Sequence, residues 1–396
     1  MERRKKPVSV GIGSSRRKIF YRRRMMVPGG IRHIRQWARR AWFIGFHFLL
    51  ISCSACTFPW TNADIPDRIS ILSYNVQNLF DDVHDGTEYD EFVPHSGGWS
   101  SELFHLKLYR LSEVLSLFPD GGADILLLQE VENAHALDML RQHYLKGGGY
   151  GYWAVSDAEG QAVQVAVLSR FPITGSRSHA VTLDGLRAGR PVLEIELSIG
   201  KSQLKILHCH WKSKSPGAEY TENLRLAAAG KISDLLELHF KQSSAVPVLV
   251  AGDLNECIDE WDLHSGSYLT ALMPESELVS SCVEGLARPL YVSGGRKVPV
   301  MQNGKAVLFS PWLENTDLAG SYAYRARWER IDHFLMTAGF SDGEGLDYRE
   351  FEVIDDQRLL SEEGFPLRWI PDLERGYSDH LPILMYCDYS ERKDAE

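Results

Sequence analysis

The sequence is poor in cysteine, with six in 396 residues. The four at positions 209, 257, 282 and 387 show no CxxC or finger spacing, which argues against structural zinc. No fixed-period repeat or long low-complexity tract is present, which argues against solenoids and arrays. The apolar run Ala41–Ile51 is too short to span a bilayer as a helix but has the length of a signal-peptide core. Acidic residues are almost missing from the first 56 positions, which hold one of the 53 acids and 14 of the 43 bases. The remainder therefore carries 29 basic against 52 acidic residues, a formal −23. Such a body repels polyanions at long range, so a nucleic-acid substrate would need a local basic patch or bound cations.

What is present divides naturally into a leader and a body. Arg22, Arg23, Arg24, Arg39 and Arg40 precede the apolar run, which ends in Ser52–Cys53–Ser54–Ala55–Cys56. Small residues before a cysteine resemble a loose bacterial lipobox, so residues 1–56 are expected to be an export leader, with Cys53 or Cys56 as the lipidated residue. Met25 and Met26 are alternative starts. The expected destination is the cell envelope as a membrane-anchored lipoprotein, or otherwise the periplasm or the exterior. Residues 57–67 read as a linker and 68–390 as one domain, taken to be monomeric. With 44% hydrophobic content, a chain of this length can bury a large core.

Within the body, apolar runs at 68–75, 124–130, 162–168, 192–199, 203–210, 246–251, 330–336 and 381–386 predict strands. Helical spacing over 103–117 and 219–240 places helices between them. Residues 265–327 and the acidic stretch before Gly376 read as loops. This alternation argues for a layered α/β fold.

Several strands end in polar groups able to do chemistry. They are Asn75, Glu130, His210, Asp253 with Asn255, and Asp379 with His380, while Asp332 lies inside another strand. In extended chain Asp253 and Asn255 point to one side, as do His208 and His210. Hard oxygen donors suit Mg²⁺ or Mn²⁺, and histidines beside an aspartate can move protons. Lys212, Lys214 and Arg225 are candidates for a phosphate-holding basic patch.

The segments Tyr74–Asn75–Val76, Gln129–Glu130, His210–Trp211–Lys212–Ser213, Gly252–Asp253–Leu254–Asn255, Arg330–Ile331–Asp332 and Ser378–Asp379–His380 together resemble the endonuclease/exonuclease/phosphatase superfamily. The resemblance implies a four-layer sandwich, two mixed β-sheets packed face to face with helices on both outer faces. It implies a Mg²⁺- or Mn²⁺-dependent phosphodiester hydrolase, with Glu130 as the principal metal ligand, Asn75 beside it and Asp379 contributing. His380 would bind the scissile phosphate with its ring held by Asp332, and Asp253 would activate the attacking water. Asn255 would donate to a phosphate oxygen, Lys212 would assist, and His210 would bind phosphate or serve the leaving group.

Departures from the family pattern are Gln77 in place of a second acidic ligand, His333 in place of tyrosine, and Cys209 in place of asparagine. No carboxylate partner for His210 can be named, and His208 is expected to pack in the core. The substrate class stays open. Nucleic acid leads. A phospholipid or inositol phosphate is the alternative, for which Trp312, Tyr322, Tyr324 and Trp328 would form an exposed aromatic surface. A catalytically silent binding lipoprotein is the third reading.

Overall fold

A computed structural model of the chain describes residues 65–391, apart from 95–97, 119–120, 159, 216, 243–245, 279–287, 298, 300 and 303. The expected leader, with Cys53 and Cys56, and most of the expected linker lie outside the described residues. The chain divides into units Met1–Cys56 and Thr57–Glu396, and the description below concerns the second. Among the described residues, no helix is long and apolar enough to cross a membrane.

Six strands carry the site: β1 (Arg68–Leu79), β2 (Ile125–Val131), β3 (Ser202–His210), β4 (Val248–Asp253), β5 (Asp332–Met336) and β6 (Ile383–Ser390). Two long helices accompany them, α1 (Ser101–Leu115) and α2 (Ala218–Gln242). The first sheet runs in the order 345–353, β6, β1, β2, 164–169, 152–155. The second runs 272–274, 290–293, 305–309, β5, β4, β3, 192–199, 173–179. In each sheet two central strands are parallel, β1 with β2 and β3 with β4, and the flanking strand, β6 or β5, is antiparallel.

Period-two alternation sorts the side chains into layers. From the first sheet, Ile69, Ile71, Ile125, Leu127, Ile383 and Met385 enter a core shared with the second sheet. The intervening residues Leu72, Tyr74, Leu126, Leu128 and Leu384 pack instead against Phe104, Leu108 and Leu111 of α1. Leu226, Ala229, Ile232 and Leu236 of α2 belong to the core that includes the second sheet. The result is the expected four-layer α/β sandwich, two mixed sheets face to face between helices. α1 starts at Ser100, whose side chain accepts the Leu103 N–H, a cap that the sequence supplies just before the apolar spacing begins.

Two stretches expected to be loops are sheet. Within 265–327, four short strands, 272–274, 290–293, 301–302 and 305–309, join the second sheet, too brief for a periodic signal. Residues 345–353 form an edge strand whose exposed Arg349 and Glu350 masked its character, since charge is what keeps an edge from pairing further. Strands 152–155 and 173–179 were also not foreseen. Cys209, Cys257 and Cys387 are buried free thiols.

The expected basic patch does not form around Arg225. Its side chain is fully buried, donating to Glu256 at 2.6 Å, to Thr221 Oγ1 at 2.8 Å and to Ala218 O at 2.7 Å, with Glu222 at 2.5 Å. Lys214 is likewise held between Glu260 at 3.1 Å and Glu329 at 2.8 Å. Both cations anchor α2 and neighbouring loops to the chain after β4. Removing Arg225 would strand two buried carboxylates. Arg225→Leu is expected to lower unfolding free energy by about 3–5 kcal/mol in urea melts. A loss under about 1 kcal/mol would show the cluster to be dispensable.

Candidate active site

The parallel pairs deliver their C-terminal ends, and the antiparallel strands β5 and β6 deliver their starts, to one rim. Asp332 therefore opens β5 instead of lying inside a strand, and it is the register partner of Asp253 across the β4–β5 pair. Gly252 permits this convergence. It has φ +127° and stands beside Cys209, and a Cβ there would meet Cys209 O at 2.0 Å.

On the other sheet, β1 and β2 both shift register at the rim. Gln77, Asn78 and Glu130 take φ of 51°, 60° and 64°, left-handed values that non-glycine residues adopt at a cost of about 1–3 kcal/mol. The bulge turns Glu130 so that its Oε2 accepts the Asn78 N–H at 2.9 Å. Gln77 holds the bulge in place: its amide nitrogen donates to Trp369 O at 3.1 Å and its amide oxygen accepts Trp369 N–H at 2.7 Å. The departure at this position is thus a backbone clamp.

Hydrogen bonds cross between the sheets at the rim. Asn75 Nδ2 donates to Asp253 Oδ2 at 3.0 Å and lies 3.2 Å from Glu130 Oε1, while its Oδ1 accepts Gln77 N–H. The His380 ring nitrogen Nδ1 is 2.8 Å from Asp332 Oδ2, which also accepts Ser321 Oγ–H at 2.6 Å. Asp253 Oδ1 accepts the Asn255 N–H at 2.8 Å. The Asn255 side chain donates to Trp211 O at 3.2 Å. His210 Nε2 faces Asp253 at 3.5 Å and Glu130 at 3.8 Å. Its Nδ1 is buried with no partner among the described residues, so no carboxylate orients it. His208, fully buried, accepts from Gln129 Nε2 at 2.7 Å, as expected of a core group. His333 faces away, its Nε2 donating to Glu256 O at 2.8 Å.

Burial sets the protonation states, and neighbouring charges then decide between them. Burial alone would push the His380 ring down, but Asp332, Asp253 and Asp379 outweigh it and raise it to about 10. Burial, and then Asp332, push Asp253 up to about 7, against the pull of His380. His210 is held well below its ordinary value by burial and then by Arg190 and His380, with Lys212 adding to the effect. At neutral pH the rim thus holds one imidazolium, one neutral imidazole and a carboxylate poised to take a proton.

Asp253, Asp332 and His380 place one ligand-capable atom each within 4.8 Å of one another. The Asp332–His380 contact already fills that group with a shared proton. The better cation donors are the carboxylates of Glu130 and Asp379, both part-exposed. Burial and then Asp379 hold Glu130's carboxyl above its ordinary value, a like-charge repulsion that a hard divalent ion would relieve. This donor set fits Mg²⁺ or Mn²⁺.

Three contributors escaped the sequence reading, and a fourth, Tyr322, was expected only as part of an exposed aromatic surface. Arg190 lies at the start of strand 192–199, which is antiparallel to β3 and so begins beside His210. Its Nη1 lies 3.5 Å from Trp211 O, its Nε is buried without a partner among the described residues, and its charge acts on both Glu130 and His210. Lys107 is a cation within the apolar face of α1. It donates to Tyr377 O at 2.7 Å, and burial pushes it down to about 7 against the pull of Asp379 and Glu130. Ser321 steadies Asp332, as above. Tyr322 lies against His380 with the two rings tilted by 35° and their centroids 4.7 Å apart. It lies in a hairpin of Tyr322–Tyr324 with Arg327–Glu329, of whose aromatics only Tyr324 is well exposed. Trp312, expected at an exposed surface, is fully buried and donates to Asp332 O at 2.8 Å.

A family model described as the endonuclease/exonuclease/phosphatase family matches residues 70–275. The chain belongs to that family. The matched segment holds Asn75, Glu130, His210, Asp253 and Asn255, and the fold adds Asp332, Asp379 and His380 to them. Among solved structures, TDP2 from Caenorhabditis elegans is similar at 16% identity, covering 83% of this chain and 77% of that one, with a TM-score of 0.49. The human Nocturnin catalytic domain with bound sulfate aligns at 17% identity, 82% and 94% coverage and 0.45. A family protein from Bacteroides thetaiotaomicron aligns at 14%, 82% and 98%, and 0.46. No curated protein matches.

The Asp332–His380 pair is directly testable. Its elevated ring pKa means that the pairing stabilises the fold fully below the ordinary 6.5 and ceases to do so as pH rises through about 10. In Asp332→Asn the His380 resonance, followed by NMR, is expected to titrate at least one unit lower. An unchanged titration would show that Asp332 does not govern the ring.

Proposed function

We propose that this family member is a divalent-metal-dependent phosphodiester hydrolase that cleaves by in-line attack of water, with nucleic acid as the first substrate class to test. The observation that carries this reading is the contrast between Asp253, poised near neutrality, and His380, held cationic, with Asn75 between them. Asp253 Oδ2 takes the proton from the attacking water as the oxygen–phosphorus bond forms. The His380 imidazolium, Asn255 and Lys212 hold phosphoryl oxygens, and Arg190 adds positive field. Neutral His210 donates from Nε2 to an oxygen gaining charge as the bond to the leaving group breaks. A divalent ion at Glu130 and Asp379, with Asn75 holding Glu130 in place, would stabilise the charge on the phosphoryl group.

One observation favours the second reading, a phospholipid or inositol phosphate substrate. Two of the three expected patch cations, Arg225 and Lys214, are spent on internal carboxylates in a body of formal charge −23. A long polyanion gains little from such a surface, whereas a single phosphate needs only the rim. The leader's composition supports export and lipid attachment at Cys53 or Cys56.

Purified protein is expected to cleave at least one of DNA, RNA, sphingomyelin and inositol phosphates, and to lose that activity with EDTA. Asp253→Asn is expected to cost roughly 10²–10⁴-fold in kcat. Because Asp253's carboxyl is raised, ionising it on the way from 3.8 to about 7 costs stability, so the same variant is expected to melt higher at pH 8. Absence of turnover on all four substrates with Mg²⁺, Mn²⁺ and Ca²⁺ would favour a binding protein instead.

A further inference from the structure

Past the catalytic rim, the chain leaving β1 forms an acidic loop that folds back on the end of β2. Glu132, two residues beyond Glu130, is 3% exposed. Its Oε2 accepts the Asp81 N–H at 2.6 Å, while its Oε1 is buried with no hydrogen-bond partner among the described residues. The Glu88 side chain is 1% exposed, and its carboxylate accepts Asp85 N–H at 2.6 Å and Gly86 N–H at 2.8 Å. Asp85, Glu88 and Glu132 each place a ligand-capable atom within 4.8 Å of the others.

Three carboxylates this close repel one another, and the buried one, Glu132, also forfeits hydration. Among the described residues, the basic side chain paired with any of them is His84, 58% exposed and 3.1 Å from Glu88. That contact leaves Glu132 Oε1 without an answering positive group. Three hard oxygens at such spacing can be bridged by one Ca²⁺, whose ligands stand about 2.3–2.6 Å from the ion.

We propose that Asp85, Glu88 and Glu132 form a second cation site, distinct from the catalytic centre, that takes Ca²⁺ and fastens the loop after β1 to the end of β2. Further ligands would come from water on the exposed side of Asp85. Since Glu132 N–H donates to Leu79 O at 2.9 Å, the ion would lock together the two strand ends that carry Asn75 and Glu130. The site stands independently of the proposed reaction.

The test separates it from the catalytic metal. In full-length Glu130→Gln protein, calorimetric titration with CaCl₂ is expected to show one site with a Kd of roughly 1 mM or tighter, and Ca²⁺ is expected to raise the melting temperature. Adding Asp85→Asn or Glu132→Gln is expected to weaken that binding at least about tenfold and abolish the thermal shift, whereas adding Asp379→Asn leaves both in place. If Glu132→Gln does not fold, exposed Asp85→Asn carries the comparison. Equal Ca²⁺ binding by parent and Asp85→Asn protein, or no binding by the parent, would overturn the proposal.

Discussion

The hydrogen bond between Asp332 and His380 is the interaction on which the site depends. Asp332 opens a strand of one sheet and His380 precedes a strand of the other, so their 2.8 Å contact is also a fastening between the two halves of the sandwich. Asn75 with Asp253, and Gln129 with His208, repeat the pattern. The candidate reacting groups are also structural cross-links, and their geometry is therefore fixed by the packing of two hydrophobic sheets.

That economy has an electrostatic cost, which the surroundings distribute unevenly. Asp332 receives a hydroxyl from Ser321 and has Trp312 bonded to its carbonyl, while Tyr322 covers the His380 ring. His210 gets no such support on Nδ1 and stays neutral. Two histidines on one rim thereby take opposite charge states, one held cationic by carboxylates and the other kept neutral by burial and cations. Backbone strain adds to this arrangement, because the left-handed turn at Glu130 aims a carboxylate that a regular strand would have directed elsewhere.

Much of the rim was legible in the sequence because it sits on long apolar strands, where a polar residue at an end is conspicuous. Asn75, Glu130, His210, Asp253, Asn255, Asp332, Asp379 and His380 all reach the expected edge. The layered fold was legible for the same reason. Short strands such as 272–274 and the charged edge strand 345–353 were not, since neither is apolar enough to show a period. Arg190 and Lys107 were missed because their roles depend on pairing. One matters through an antiparallel neighbour, and the other through what lies beneath Tyr377. Arg225 and Lys214 were misread because sequence shows charge but not the carboxylates that consume it.

The placement of β6 between strand 345–353 and β1 bears on how the molecule is made during synthesis. The first strand to leave the ribosome must wait for the last described one before its sheet can close, so contacts of very long sequence separation govern folding, a slow class of topology. His380 arrives only with that last strand. A chain paused just short of His380 holds the other candidate residues of the rim but not this imidazolium, so the candidate site closes only with that last strand.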